Sequence, residues 1–348
     1  MQDIPFEQAI PAAWYGAELA SLEDQWLGHL SQDDVTELET AARGCLALGL
    51  EMPRITAEDF LLPGLGRRLA LLRATLLHGI GFGVLRGLPV AQYSREMAAT
   101  IFFGIGAHFG HARSQNAEGH LLGHVRDLGL TSDDKNVRIY QTAERQSFHT
   151  DSCDIVGLLC LMDAMEGGET LLVSAVTVFN EILRLRPDLL PYLFEPLATD
   201  RRGEVDKGQK PYFRIPVFNW YQGYLSTIYQ RQYIDSAQRF PDAPRLTARH
   251  IEALDLYDEL ANDPRLCLRM QLRPGDMQFV YNHTLLHDRT DFRDHPNPTD
   301  RRHLLRLWLS SPGDRPLPDC FAERFGSVEI GNRGGIQVSG TQLHAPLD

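Results

Sequence analysis

No apolar run in the 348-residue chain approaches the roughly 18 to 20 residues that cross a bilayer, so no membrane-spanning helix is expected. Met1 to Ala20 has no basic cap followed by an apolar stretch. It mixes Asp3, Glu7 and Glu18 with two prolines, which argues against a secretory signal and for a cytoplasmic location. The five cysteines (Cys45, Cys153, Cys160, Cys267, Cys320) are odd in number and irregular in spacing. They fit neither a disulfide framework nor a zinc knuckle and read as reduced thiols. Basic tracts are missing too: the formal net charge is -12, whereas a nucleic-acid partner needs a concentrated basic surface. Internal repeats, low-complexity tracts and clean linkers are also absent. One basic cluster, Arg301-Arg302-His303-Leu304-Leu305-Arg306, sits in an apolar context.

What is present is the composition of a globular protein, 43% hydrophobic and 23% charged, long enough to bury a sizeable core. Apolar residues at helical spacing predict helices over Glu18 to Leu30, Asp34 to Leu48, Gly66 to Leu77 and Ser94 to Ala107. Gly81 to Gly87 reads as a short strand. From Val137 the pattern changes to β-prone runs, Val137 to Thr142, Val156 to Met162 and Thr170 to Ser174, followed by a helix from Ala175 to Leu185. Thr199 to Gly223 reads as irregular and as a candidate lid, with Trp220 and Tyr221 as residues that could cover a substrate. Helical periodicity returns in Tyr233 to Phe240 and Thr247 to Ala261, and strand signals in Cys267 to Leu272, Met277 to Tyr281 and His303 to Leu309. The expectation is a single α+β domain over 1–348. It has a mainly helical region at 1–110, core strands in 136–175 and 265–312, and a helical insertion or lid at 176–264. An antiparallel jelly-roll core of the cupin type fits this order.

The chemistry concentrates around His149-Thr150-Asp151. In an extended chain residues i and i+2 share a face, so an imidazole and a carboxylate can converge on one ion. A third, distant histidine would complete a two-His, one-carboxylate set with open positions, the arrangement of non-haem iron oxygenases. Chance alone gives about one or two His-x-acid matches in such a composition. The second match, His250-Ile-Glu252, lies in a predicted helix, where i and i+2 diverge around the axis. The third ligand can be His283 or His287, both in Tyr281-Asn-His-Thr-Leu-Leu-His-Asp-Arg289, with His287 favoured by its surroundings.

The order of His149-Thr-Asp151, Gly167-Gly-Glu-Thr170, Pro274-Gly-Asp276, Asn282 with His287 and Arg289, and Arg301-Arg302 to Arg306 resembles the taurine dioxygenase and clavaminate synthase superfamily (TauD/TfdA-like). The resemblance spans about Asn136 to Leu309. It implies an iron(II), 2-oxoglutarate-dependent dioxygenase on a double-stranded β-helix, with His149, Asp151 and His287 as metal ligands. Arg302, fifteen residues after His287, matches the arginine that takes the remote carboxylate of 2-oxoglutarate, a role that suits its planar fork of donors. Thr170 matches the threonine that donates a hydroxyl to the same carboxylate. Arg306 matches the arginine that grips a substrate acid group, with an internal salt bridge as the alternative.

Because Asp151 is present, oxygenation is expected over halogenation. The run after Asp151 lacks the aromatic residues of taurine dioxygenase itself, which points to hydroxylation of a small carboxylate or amino acid, with dioxygen consumed and succinate and carbon dioxide released. Gln115, Asn116 and Tyr140 are further substrate-pocket candidates. A zinc-dependent hydrolase on the same ligands and a non-catalytic binding protein on the same barrel are the alternatives.

Overall fold

In the computed structural model the described residues are 4–131 and 137–348; Asp3 and Asn136, used above, lie outside them. Two mainly antiparallel sheets face each other. The larger has seven strands in the order Leu27–His29, Phe82–Arg86, Met277–Tyr281, Ile155–Met162, His303–Ser310, His111–Arg113, with Leu122–Val125 also paired to His303–Ser310. The smaller has four, in the order Cys267–Met270, Thr170–Ser174, Leu285–Arg289, Gln146–His149.

Alternation along each strand sorts side chains into layers. Leu304 and Trp308 point between the sheets, where they join Val156 and Val280 from the same sheet and Leu172 and Leu285 from the other. Leu305, Leu307 and Leu309 point the opposite way, onto Phe102, Phe279 and the helices Gln32–Ala47, Gly66–His78 and Arg95–Ala107. Behind the smaller sheet, Leu171, Val173 and Leu286 pack on the helices Ala175–Leu185 and Ala248–Ala261. The result is a jelly-roll sandwich flanked by helices on both outer faces.

Local chemistry explains the boundaries. Gln32–Ala47 starts at a capping box in which Ser31 Oγ accepts from the Asp34 amide at 3.1 Å and Asp34 accepts from the Ser31 amide at 2.8 Å. The turn Pro274-Gly275-Asp276 requires glycine: φ is +91°, and a Cβ there would lie 1.9 Å from the Leu88 carbonyl oxygen. Asp276 then takes Arg86 bidentately at 2.9 and 2.7 Å, tying the turn to its neighbouring strand.

Three sequence expectations are corrected. Glu18 to Leu30 is not one helix: a short helix Gly16–Leu19 and a 3-10 turn Glu23–Gln25 lead into strand Leu27–His29, parallel to Phe82–Arg86. Gly28 weakens a helix there, and pairing with Val84 and Leu85 decides the outcome. Val137 to Thr142 is no strand; it holds a 3-10 turn, Ile139–Gln141. Thr199 to Gly223 is not irregular. It contributes to two hairpins, Leu197–Asp200 with Tyr212–Ile215 and Phe218–Tyr221 with Tyr224–Thr227. The second closes on Gln222-Gly223, both at positive φ (49° and 83°), as a tight two-residue turn demands. Tyr221 is exposed at that tip and Trp220 packs on the outer apolar layer, so neither covers the interior. Among the described residues no helix is long and apolar enough to cross a membrane.

Candidate metal centre and substrate cavity

His149 ends strand Gln146–His149 and is the direct cross-strand partner of His287 on Leu285–Arg289. Both imidazoles therefore rise from one face of the smaller sheet, with ring centroids 4.2 Å apart. Asp151 lies just past the strand end. Its carboxylate oxygens approach His149 Nε2 at 3.9 Å and His287 Nε2 at 3.7 Å. The three ligand-type atoms lie within 4.8 Å of one another, and all three residues are nearly shielded from solvent.

The surroundings orient each donor. His149 Nδ1 bonds the Ser147 carbonyl at 2.8 Å, which leaves Nε2 as the lone-pair nitrogen facing the cluster. Gln146 Nε2 lies 2.9 Å from that nitrogen. Burial, reinforced by the His287 imidazole, pushes His149 down to about 3, so the ring is neutral, the form a metal needs. Burial would push the Asp151 carboxyl up. The Arg306 guanidinium and His287 outweigh it and hold the group well below the usual carboxylate range. Trp308 Nε1 donates to Asp151 Oδ2 at 2.8 Å, and the Asp151 amide donates to Asn282 Oδ1 at 2.9 Å, so both side chain and backbone of this residue are fixed.

His283 goes elsewhere. Its Nε2 lies 2.8 Å from Asp154, and Asp314 is the third member of that group. Arg333, fully buried, donates into its middle, to Asp154 at 2.8 Å and Asp314 at 2.7 Å.

Thr170 lies opposite Arg289, two residues along the strand from His287, and Arg302 lies against Gly168 just before it. Arg302 Nη1 is buried with no hydrogen-bond partner. Gly168, at φ +71°, leaves room for it: a Cβ would lie 3.0 Å from Arg302 Nε. Thr170 pairs across strands with Arg289, whose Nη1 bonds the Thr142 carbonyl at 3.0 Å while its Nε is also buried without a partner. The two guanidiniums flank the Phe292 ring, at 4.6 Å for Arg289 and 5.1 Å for Arg302. Burial pushes Arg302 down to about 10; burial and the neighbouring Arg302 push Arg289 down to about 9. Arg289 Nη2 also bonds the Glu144 carbonyl, so the donors these two desolvated cations keep open are Arg302 Nη1 and Arg289 Nε. Arg289 was named in the sequence motif but given no role there. Its spacing two residues after His287, hence on the same strand face, was the available signal.

Of the remaining candidates, Tyr140 and Arg306 line the cavity in front of His149 and Asp151. Arg306 is already engaged: Nε donates to Gln115 Oε1 at 2.7 Å, Nη1 lies 3.5 Å from Asp151 Oδ2, and the guanidinium carbon lies 4.7 Å over the Tyr140 ring. Gln115 is buried behind Arg306 and holds it, its amide donating to the Arg306 carbonyl at 2.8 Å. Asn116 is not brought to the cavity; its side chain closes a local turn onto His120. The cavity also gains Arg138 and Arg324, which the sequence reading did not single out.

A jelly roll carrying two imidazoles and a carboxylate in one cluster, with an open donor left on each of Arg302 and Arg289, defines the class of iron(II), 2-oxoglutarate-dependent dioxygenases. The chain belongs to the taurine catabolism dioxygenase TauD, TfdA family, whose model matches residues 48–308. It is 33% identical over 314 residues to FR-33289 synthase of Streptomyces rubellomurinus, covering 87% of this chain and 91% of that one. It is 34% identical over 323 residues to the taurine hydroxylase-like protein SAT17 of Stachybotrys chartarum, covering 86% and 81%. Among solved structures, asparagine oxygenase in complex with Fe(II), 2S,3S-3-hydroxyasparagine and succinate superposes with a TM-score of 0.62 at 19% identity, over 82% of this chain and 93% of that one.

Proposed function

We propose that His149, Asp151 and His287 hold the iron, that Arg302, Thr170 and Arg289 take the remote carboxylate of 2-oxoglutarate, and that the enzyme hydroxylates a C–H bond of a small carboxylate or amino-acid-like substrate. The observation that carries this is the meeting of three ligand atoms within 4.8 Å from positions up to 138 residues apart. When bound, iron(II) with 2-oxoglutarate supplies the oxidising chemistry, as dioxygen is consumed and the cosubstrate leaves as succinate and carbon dioxide.

The chain's own residues supply orientation and exclusion. His149 enters neutral because burial disfavours its cation, and Ser147 fixes its rotamer through Nδ1. Trp308 and Arg306 keep Asp151 ionised and aimed. The unpartnered donors of Arg302 and Arg289 bind the cosubstrate end remote from the metal, a bidentate job that a hydrolase does not have. Tyr140 and Arg306 face the substrate side. A small acid is supported by the guanidiniums lining that side and by the hydroxyasparagine named for the similar structure. A cytoplasmic setting is supported by the five free cysteines.

The test is succinate release under iron, ascorbate and 2-oxoglutarate across small carboxylates and amino acids. At least one acid is expected to stimulate release in step with its own hydroxylation. Protein that takes up no iron and releases no succinate with any acid contradicts the reading.

A further inference from the structure

Three guanidiniums line the cavity in front of His149 and Asp151, those of Arg138, Arg306 and Arg324. Two have carboxylate partners. Arg306 lies against Asp151 and Arg138 is ion-paired with Glu204. Arg324 differs: among the described residues no carboxylate lies within ion-pair distance of it. Its Nε donates to Ser152 Oγ at 2.7 Å, one residue beyond Asp151, and its guanidinium carbon lies 5.4 Å over the Phe213 ring. The hydrogen bond and the ring fix the fork in place, and Glu204, the nearest counter-charge acting on it, is ion-paired with Arg138 instead.

A half-buried cation with no ion pair of its own at a cavity wall attracts an anion. Burial pushes Arg324 down to about 10; Glu204 acts against this, while Arg138 and Arg201 act with it. Arg201 itself has a buried, unpartnered Nε. An arriving oxyanion in this cavity would meet Arg324 and Arg138 together, and a planar fork pre-positioned by Ser152 meets it with little loss of side-chain freedom.

We propose that Arg324 is the specificity residue that grips the acid group of the substrate, in place of Arg306, whose guanidinium serves Asp151. This rests on the reading above that a small acid is oxidised at the metal cluster. The shared ligand chemistry is an oxyanion on a short carbon frame: carboxylate, sulfonate or phosphonate.

Arg324 sits in the short helix Ala322–Phe325, beyond the family match at 48–308. The segment that follows is laid over the loop after Asp151: the Gly335 amide donates to the Ser152 carbonyl at 2.7 Å, and Arg333 reaches Asp154. Substrate choice is thus placed on the C-terminal segment, while the shared jelly roll keeps the metal and cosubstrate.

The experiment uses anaerobic enzyme loaded with iron(II) and 2-oxoglutarate, titrated calorimetrically with acetate, methanesulfonate and methylphosphonate, in wild type, Arg324→Gln and Arg324→Lys. At least one probe is expected to bind wild type and to lose about tenfold or more in Arg324→Gln, with a smaller loss in Arg324→Lys and unchanged 2-oxoglutarate affinity in both. Which probe binds best tells the acid class. Binding of every probe within about twofold of wild type in Arg324→Gln overturns the proposal, as does failure of all three to bind wild type that still binds 2-oxoglutarate. If Arg324→Gln does not fold, Arg324→Lys decides on the same criterion, since it keeps the charge and loses the fork. Failure of wild type to bind 2-oxoglutarate instead contradicts the reading of the site itself.

Discussion

Two buried clusters in this protein contain the same kinds of groups and do opposite things. His149, Asp151 and His287 meet at one end of the sandwich; Asp154, His283 and Asp314 meet a few residues away, equally shielded. In the second cluster a guanidinium occupies the middle, Arg333 binding both carboxylates, and Tyr281, Ser310 and Ser311 satisfy the rest. Burial would push the Asp154 carboxyl up, but the His283 hydrogen bond and Arg333 outweigh it and hold it low. That cluster is closed on itself. In the first, among the described residues no guanidinium bridges the ligand atoms, and His287 Nδ1 is buried without a partner. The difference teaches that donor type and burial do not distinguish the two clusters; the guanidinium that bridges both carboxylates of the second does.

Removing the guanidinium is the strongest way to break the comparison. Arg333→Met leaves two buried carboxylates without their cation, and unfolding should cost about 3–5 kcal/mol less than in wild type, seen as a lower denaturant midpoint, while iron per folded chain stays unchanged. Arg302→Ala should weaken 2-oxoglutarate about a hundredfold in calorimetric titration with iron affinity intact; an unchanged cosubstrate affinity removes Arg302 from its role. Trp308→Phe sharpens the contrast more gently. It deletes the 2.8 Å donor to Asp151 and should lower iron affinity by about tenfold, toward the weak end of what outer-shell changes do.

Much of this was legible from residue order. Arg306 and Trp308, two apart on strand His303–Ser310, both turn toward Asp151, as period-2 alternation requires. His-x-Asp on an extended segment likewise anticipated a shared face for His149 and Asp151. The choice between His283 and His287 was not fixed by spacing. It turns on cross-strand register, which pairs His287 with His149, and on Arg333, 50 residues further on, which fills the pocket around His283. Arg324 and Arg138 carry no local signal at all. Each is an ordinary arginine beside a turn or short helix, and only chain packing brings them to the cavity. The hairpin at Phe218–Tyr221 was readable in principle from Gln222-Gly223, but the aromatic, Pro-rich neighbourhood masked its alternation.

The most direct measurement compares iron(II) bound per folded chain in His287→Ala and His283→Ala, prepared side by side and reconstituted anaerobically. The account predicts that His287→Ala loses stoichiometric iron while remaining folded, and that His283→Ala, though less stable, still binds one iron for each folded molecule. Full iron in His287→Ala, or loss of iron in folded His283→Ala, would contradict it.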